Sequence, residues 1–124
     1  MFVELPPFTQ AVSVLTGRAK TIRISAQGPT DAKGKVVGDG DIRAQTVQIL
    51  TNIESRLAAA GASPDHLVSY SIQLRRSEDL HAAVAASMER WGPRPHPPIT
   101  SVQFVPKLPR DFLLTIEGVA VVPR

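Results

Sequence analysis

The feature that most constrains the fold is a change of hydrophobic period in mid-chain. Ile42, Thr46, Ile49, Ile53 and Leu57 recur at helical spacing, and Gly61 supplies the stop. Directly afterwards, SPDHLVSYSIQLRR starts on a Ser63-Pro64 cap and alternates with period two. Val68, Tyr70, Ile72 and Leu74 fall on one side, opposite Ser69, Ser71 and Gln73. A helix with one apolar stripe and a strand with one apolar face must each be covered, which points to a helix layer on a sheet.

The flanking segments extend this pattern. AVSVLTGRAKTIRISAQ, residues 11–27, reads as two short strands around a turn at Gly17. Ile22, Ile24 and Ala26 share one face there, and Arg23, Ser25 and Gln27 the other. Asp39 and Asp41 each suit the N-cap of the first helix. Ser77 with Glu78-Asp79 opens a second helix whose inward stripe is predicted as Leu80, Val84, Ser87, Met88 and Trp91. Gly92 and the prolines end it. Residues 99–105 form a further strand, LPRD a turn, and FLLTIEGVAVV the last strand.

The order ββ-α-β-α-ββ predicts a two-layer α+β sandwich, one mixed sheet with both helices on one face. The other face then carries Ser25, Ser69, Ser71, Ser101, Gln103, Thr115 and Glu117 with Leu113 and Val119. Such a mixed surface suits a partly wet subunit interface, so a homo-oligomer is expected.

Composition removes several classes of function. The 124 residues fit a single domain, 1–124, and the hydrophobic fraction of 43% is that of an ordinary globular chain. No cysteine is present, which excludes disulfides and thiolate chemistry. MFVELPPFTQ lacks the basic and apolar pattern of a secretory signal, and no stretch approaches the roughly 20 apolar residues of a membrane helix. A cytoplasmic location without membrane association is expected. The net charge of +3 comes from 14 basic and 11 acidic residues, scattered rather than clustered, and aromatic content is 5%. No nucleic-acid partner is expected. His66, His81 and His96 lie in separate elements without ligand spacing, so no metal site is expected.

No phosphate loop, nucleophile elbow or HExxH is present. The stretch PHPPITSVQF, residues 95–104, is a proline-rich loop entering a strand, a common place for a small-molecule site. Glu117 is the other candidate, an acidic side chain within the apolar run TIEGVAVV. Such a carboxylate needs a cation, a donor or a ligand. Two readings stay open: an ion pair with a strand arginine such as Arg23, or a water-orienting base in a cleft with a raised pKa.

Several segments together resemble one family, the Rid or YjgF proteins, reactive-intermediate imine and enamine deaminases. PPFTQAV resembles the family's Pro-Tyr-Ser-Gln-Ala opening, and ISAQGP its Ser-Gly-Gln strand. GDGDIRAQTVQILTNIESRLAAAGASPDHLVSYSIQL follows its helix and Ala-Gly-Ser strand entry, and LPRDFLLTIEGVAVV its Leu-Pro and Ile-Glu-x-x-Ala finish.

The resemblance implies a chorismate-mutase-like fold, a homotrimer with small-molecule clefts between subunits, and no metal or organic cofactor. In deaminating members an arginine in Pro-Ala-Arg-Ser grips the substrate carboxylate, while a strand glutamate and backbone near the Ser-Gly pair position water. Carried over, Glu117 matches that glutamate, and Ser25 with Ala26 the Ser-Gly pair. The opening tyrosine becomes Phe8, and the helix asparagine that lines the pocket falls at about Val84.

Aligning Pro-Ala-Arg-Ser with Pro-Pro-Ile-Thr puts Ile99 where the arginine stands. An isoleucine cannot imitate a guanidinium-carboxylate fork. The expectation is therefore a cleft around Phe8, Ser25, Ala26, Ile99, Ser101 and Glu117 that binds a small, rather apolar metabolite and hydrates or hydrolyses it. Two alternatives accompany it: a 2-iminopropanoate-type deaminase using Arg94, and a non-catalytic ligand-binding or interaction protein.

Overall fold

A computed structural model describes residues 11–94 and 96–123. Seven principal elements follow in the order β1 (Ala11–Thr16), β2 (Ala19–Gln27), α1 (Ile42–Ala59), β3 (Leu67–Leu74), α2 (Leu80–Trp91), β4 (Ile99–Phe104) and β5 (Leu114–Pro123). This is the order expected from the sequence.

The strands make one five-stranded sheet, β1-β2-β5-β3-β4. β1 and β2 form a hairpin in which Thr16 pairs with Ala19, so Gly17 and Arg18 alone make the turn. Gly17 has φ +57°, the left-handed first position that a tight two-residue hairpin turn demands. β5, last in the chain, inserts between β2 and β3, antiparallel to both. β3 and β4 pair in parallel, which their connection through α2 permits. The sheet is therefore mixed, and its central strand carries Glu117.

Both helices cover the same face. The Asp41 side chain accepts a 3.0 Å hydrogen bond from the Ala44 amide and caps α1. Ile49, Leu50, Ile53 and Leu57 of α1 close against Ile22, Ile72, Leu114 and Ile116 of the sheet. Gln45, fully buried, ties the layers together: its amide donates to the Gly38 carbonyl at 3.0 Å, and its oxygen accepts from the Leu113 amide at 2.9 Å. At the far end Trp91 meets Tyr70 edge to face, with ring centroids 5.8 Å apart.

Three local expectations change. In β3 the inward residue at the strand entrance is Leu67, 2% exposed, while Val68 is 46% exposed. The pairing explains this: Leu67 faces Ala120 and Ser69 faces Val119, leaving Val68 as an extra residue in a bulge. In β2 a second bulge moves Gln27 onto the helix-covered side, where it pairs with Ile116 and receives a 3.4 Å hydrogen bond from Arg56 Nε. In α2 the buried residues are Ala83, Ala86 and Ser87, whereas Val84 and Met88 are exposed at 39% and 52%. Small side chains let α2 approach α1 closely, and the larger ones of the expected stripe turn aside to its flank.

Candidate functional site

The face opposite the helices is ordered by strand register into lateral rows, with neighbouring strands about 4.8 Å apart. One row runs Arg23, Val119, Ser69, Ile99 across β2, β5, β3 and β4. The next holds Glu117 on β5, Ser71 on β3 and Ser101 on β4. On its β2 side the register jumps between Ile24, paired with Gly118, and Gln27, paired with Ile116. Ser25 and Ala26 therefore stand together opposite Glu117 as a two-for-one bulge. A third row holds Thr115, Gln73 and Gln103.

Hydrogen bonds fix the polar groups in these rows. The Ser71 and Ser101 hydroxyls meet at 2.7 Å. The Thr115 hydroxyl donates to Gln73 Oε1 at 2.9 Å, and Gln73 Nε2 donates to Glu117 Oε1 at 3.2 Å. This chain has one sense. Reversing the Gln73 amide would set its oxygen against the carboxylate, so the glutamate charge selects the orientation. Thr115 and Gln73 are buried while Glu117 is exposed, which gives an open carboxylate a fixed foundation.

Above the rows lies a cleft of about 480 Å³, lined by Arg23, Ser25, Ser69, Ser71, Glu117 and Val119. Among the described residues that line it, Arg23 is the one cation and Glu117 the one anion. Arg23 does not pair with Glu117; the register sets it opposite Val119, one row away. Among the described residues Arg23 has no hydrogen-bond or ion-pair partner. The glutamate instead takes its hydrogen bond from Gln73. Of the two readings of Glu117 made from sequence, the arginine pair is thus not formed within the chain.

The residues singled out from sequence divide by location. Ser25, Ala26 and Glu117 come together at the bulge, with Ser101 in the same row beyond Ser71. Ile99, 75% exposed, ends the row that begins at Arg23. Val84 lies on α2, in the layer behind the sheet. Arg94 donates to the Pro64 carbonyl and lines a separate cavity of about 240 Å³ with Tyr70, Trp91, Pro98 and Thr100. Within the chain it therefore does not reach the Glu117 cleft. Phe8 lies outside the described residues.

His66 is used locally. Its Nδ1 accepts from the Ser63 amide at 3.0 Å at the entrance to β3. His81 and His96 are exposed, and among the described residues no group of three or more potential ligands could hold a metal ion. No helix of the described residues is long and apolar enough to cross a membrane.

The Gln73 donor and the placement of Arg23 in the cleft were missed from sequence. Alternation had put both on this face, but only the register shows which of them reaches Glu117.

Known proteins agree with this fold along almost its whole length. The family model described as Endoribonuclease L-PSP matches residues 3–122. A RutC family protein of Pyrococcus horikoshii is 32% identical over 114 residues, 92% of this chain and 86% of its own. The structure of the Rid-family protein YyfA from Yersinia pestis superposes with a TM-score of 0.84 at 27% identity, covering 95% of this chain and 90% of that one. The YjgF gene product of E. coli gives 0.80 at 27% identity, covering 97% and 91%. The fold and site thus define a small α+β protein with its polar cleft on the uncovered face of a mixed sheet. The chain belongs to the Rid/YjgF family.

Proposed function

We propose that this protein is a homotrimer that binds a small metabolite in clefts between subunits on the open sheet face and hydrolyses an imine or enamine there. The observation that carries the reading is Glu117, an exposed carboxylate on the central strand, held by the buried Thr115–Gln73 pair and facing a cleft of about 480 Å³. A purely apolar binding site has no need of such a group.

In the proposed step Glu117 accepts a proton from a water molecule as its oxygen attacks the imine carbon, forming the C–O bond. The proton passes to nitrogen to give a carbinolamine; Glu117 then takes the hydroxyl proton and delivers it to nitrogen as the C=O double bond forms and the C–N bond breaks, and the carbonyl compound and ammonia leave. An enamine enters the same route after protonation at carbon. The substrate and one water supply every atom of the products. Positioned general bases typically contribute about 10²–10⁴-fold to such steps.

With Ile99 at the position aligned with the family arginine, small 2-imino acids would be poor substrates. Arg94 would have to leave the Pro64 carbonyl to take its place. The name of the matching family model suggests RNA cleavage as a further activity. The cleft gives that reading little support, since a backbone-tracking site needs several cations and stacking aromatics.

The test uses an amino-acid oxidase to generate 2-iminopropanoate in situ. Wild type is expected to clear it more slowly than an arginine-bearing relative, Ile99→Arg faster than wild type, and Glu117→Ala at the background rate. Wild-type clearance equal to the relative's, abolished by Arg94→Ala, would establish the Arg94 enzyme instead. Light scattering giving a monomer mass would contradict the trimer.

A further inference from the structure

We infer that Arg75, Lys107 and Arg110 form a second ligand site, at the carboxyl ends of β3 and β4, which takes a small phosphorylated metabolite by its phosphate group. The site shares no lining residue with the Glu117 cleft and does not depend on the function proposed for that cleft.

Basic residues are scattered along the sequence, and the fold gathers three of them. β3 and β4 run in parallel and end side by side, where the Val105 amide donates to the Leu74 carbonyl at 2.9 Å. Arg75 follows β3 directly, and the connection from β4 to β5 brings Lys107 and Arg110 alongside it. With Pro106, Leu108 and Asp111 they line a cavity of about 400 Å³, within the roughly 300–1,000 Å³ common for small-molecule sites.

The way these cations are held sets them apart. Arg43, Arg76 and Arg90 each make two hydrogen bonds to a carboxylate, on Glu89, Asp79 and Glu54 respectively. Arg75 and Arg110 are held by backbone carbonyls instead: Arg75 Nη1 donates to Phe112 at 3.4 Å, and Arg110 Nη1 to Gly34 at 2.9 Å. A carbonyl orients a guanidinium without cancelling its charge, and each arginine keeps further N–H donors for a ligand. Lys107 has no hydrogen-bond or ion-pair partner among the described residues. The one acid among the described lining residues is Asp111, 3.9 Å from Arg75 and with its side chain 96% exposed, too far for a hydrogen bond and open to water. Three cations thus face one weakly engaged carboxylate.

The backbone points the same way. Arg110 and Asp111 have φ of +53° and +57°, two successive non-glycine residues in the left-handed region. That conformation is unfavourable for a residue with a Cβ, and strain of this kind clusters at sites that hold ligands. Here it accompanies the seating of the Arg110 guanidinium on the Gly34 carbonyl.

Charge and shape select the ligand. One guanidinium fork is enough for a carboxylate, whereas a phosphate monoester carries nearly two negative charges and three acceptor oxygens, which suit three cations converging from separate segments. Pro106 and Leu108 offer an apolar side for the carbon skeleton that bears it. A strand of RNA calls for stacking aromatics along a track of cations, and no aromatic side chain is among the described residues lining this cavity.

Calorimetric titration tests this with glycerol 3-phosphate, glycerol, malonate and a short single-stranded RNA as probes. Wild type is expected to bind glycerol 3-phosphate about tenfold or more tightly than malonate, and glycerol not at all. Arg75→Met and Arg110→Met should each weaken the phosphate about tenfold or more. Arg43→Met removes a cation already paired with Glu89 and should leave affinity within about twofold of wild type. Arg110→Gly should lose as much affinity as Arg110→Met while melting no lower than wild type, because glycine accepts the left-handed backbone, and this separates the lost cation from a damaged fold. No binding of glycerol 3-phosphate, or equal affinity for it and malonate, would overturn the inference. So would an equal loss in Arg43→Met, which reduces the effect to net charge, or tighter Arg110-dependent binding of the RNA, which gives the surface to a nucleic acid.

Discussion

The two faces of the sheet use the same strands in opposite ways. On the helix-covered face side chains close over one another, and among the described residues no buried side-chain polar atom lacks a partner. Gln45 is the extreme case, its amide nitrogen donating to the Gly38 carbonyl and its amide oxygen accepting from the Leu113 amide. On the open face polar groups are also fixed, but toward a cleft, and Arg23 and Glu117 are left facing it. The covered face contributes stability, and in the proposed function the open face gives up contacts for chemistry. Substitutions on the two should therefore separate folding from function.

The largest stability effect is expected at Gln45→Leu on the covered face. It strands the Leu113 amide and the Gly38 carbonyl, at a cost of about 2–4 kcal/mol in denaturant titration. Turnover per folded molecule should not change.

Gly28→Ala comes next. A Cβ there would stand 2.3 Å from Cε2 of the buried Phe112 ring, which has little room to yield, so roughly 1–3 kcal/mol is expected from the same titration.

Gln73→Leu sharpens the comparison because the residue joins both roles. It leaves the Thr115 hydroxyl without its acceptor, costing about 1–2 kcal/mol. It also removes the donor that orients Glu117, so imine turnover should fall about tenfold even in fully folded protein.

The smallest effect is electrostatic. Glu54 receives two hydrogen bonds from Arg90, at 2.9 and 2.8 Å, and one from Trp91 Nε1 at 2.8 Å. The Arg90 hydrogen bond, helped by Trp91, holds its pKa below the ordinary 4.5. A lowered folded-state pKa contributes stability that is present above 4.5 and lost as pH falls through the folded value. Thermal melts below pH 4.5 should therefore show a shallower acid loss in Glu54→Gln than in wild type.

Element order was legible in the sequence because it rests on local periodicity. Ile42 to Leu57 could only be a helix with one buried stripe, and Ile72 and Leu74 could only share a strand face. The errors fall where the deciding contact comes from elsewhere in the chain. Val68 alternates correctly with Tyr70, yet a bulge against β5 gives its place to Leu67. Gln27 alternates correctly with Ser25, yet the bulge opposite Glu117 carries it to the helices. Val84 and Met88 fit a helical stripe, but α2 meets α1 through smaller residues.

The candidate site shows the same division. Glu117 stood out as an acid inside a strand, a signal its own neighbours carry. That Gln73 rather than Arg23 would hold it depended on a register set by strands 44 residues apart in sequence.

The most direct test of the open face as the reacting site is the hydrolysis rate of the imine that an amino-acid oxidase forms from leucine, compared between wild type and Glu117→Gln. Wild type should accelerate it above the buffer reaction, and Glu117→Gln should reduce that acceleration by about 10²-fold or more while keeping the wild-type melting temperature. Equal rates in the two proteins, or a wild-type rate no faster than buffer, would contradict the account.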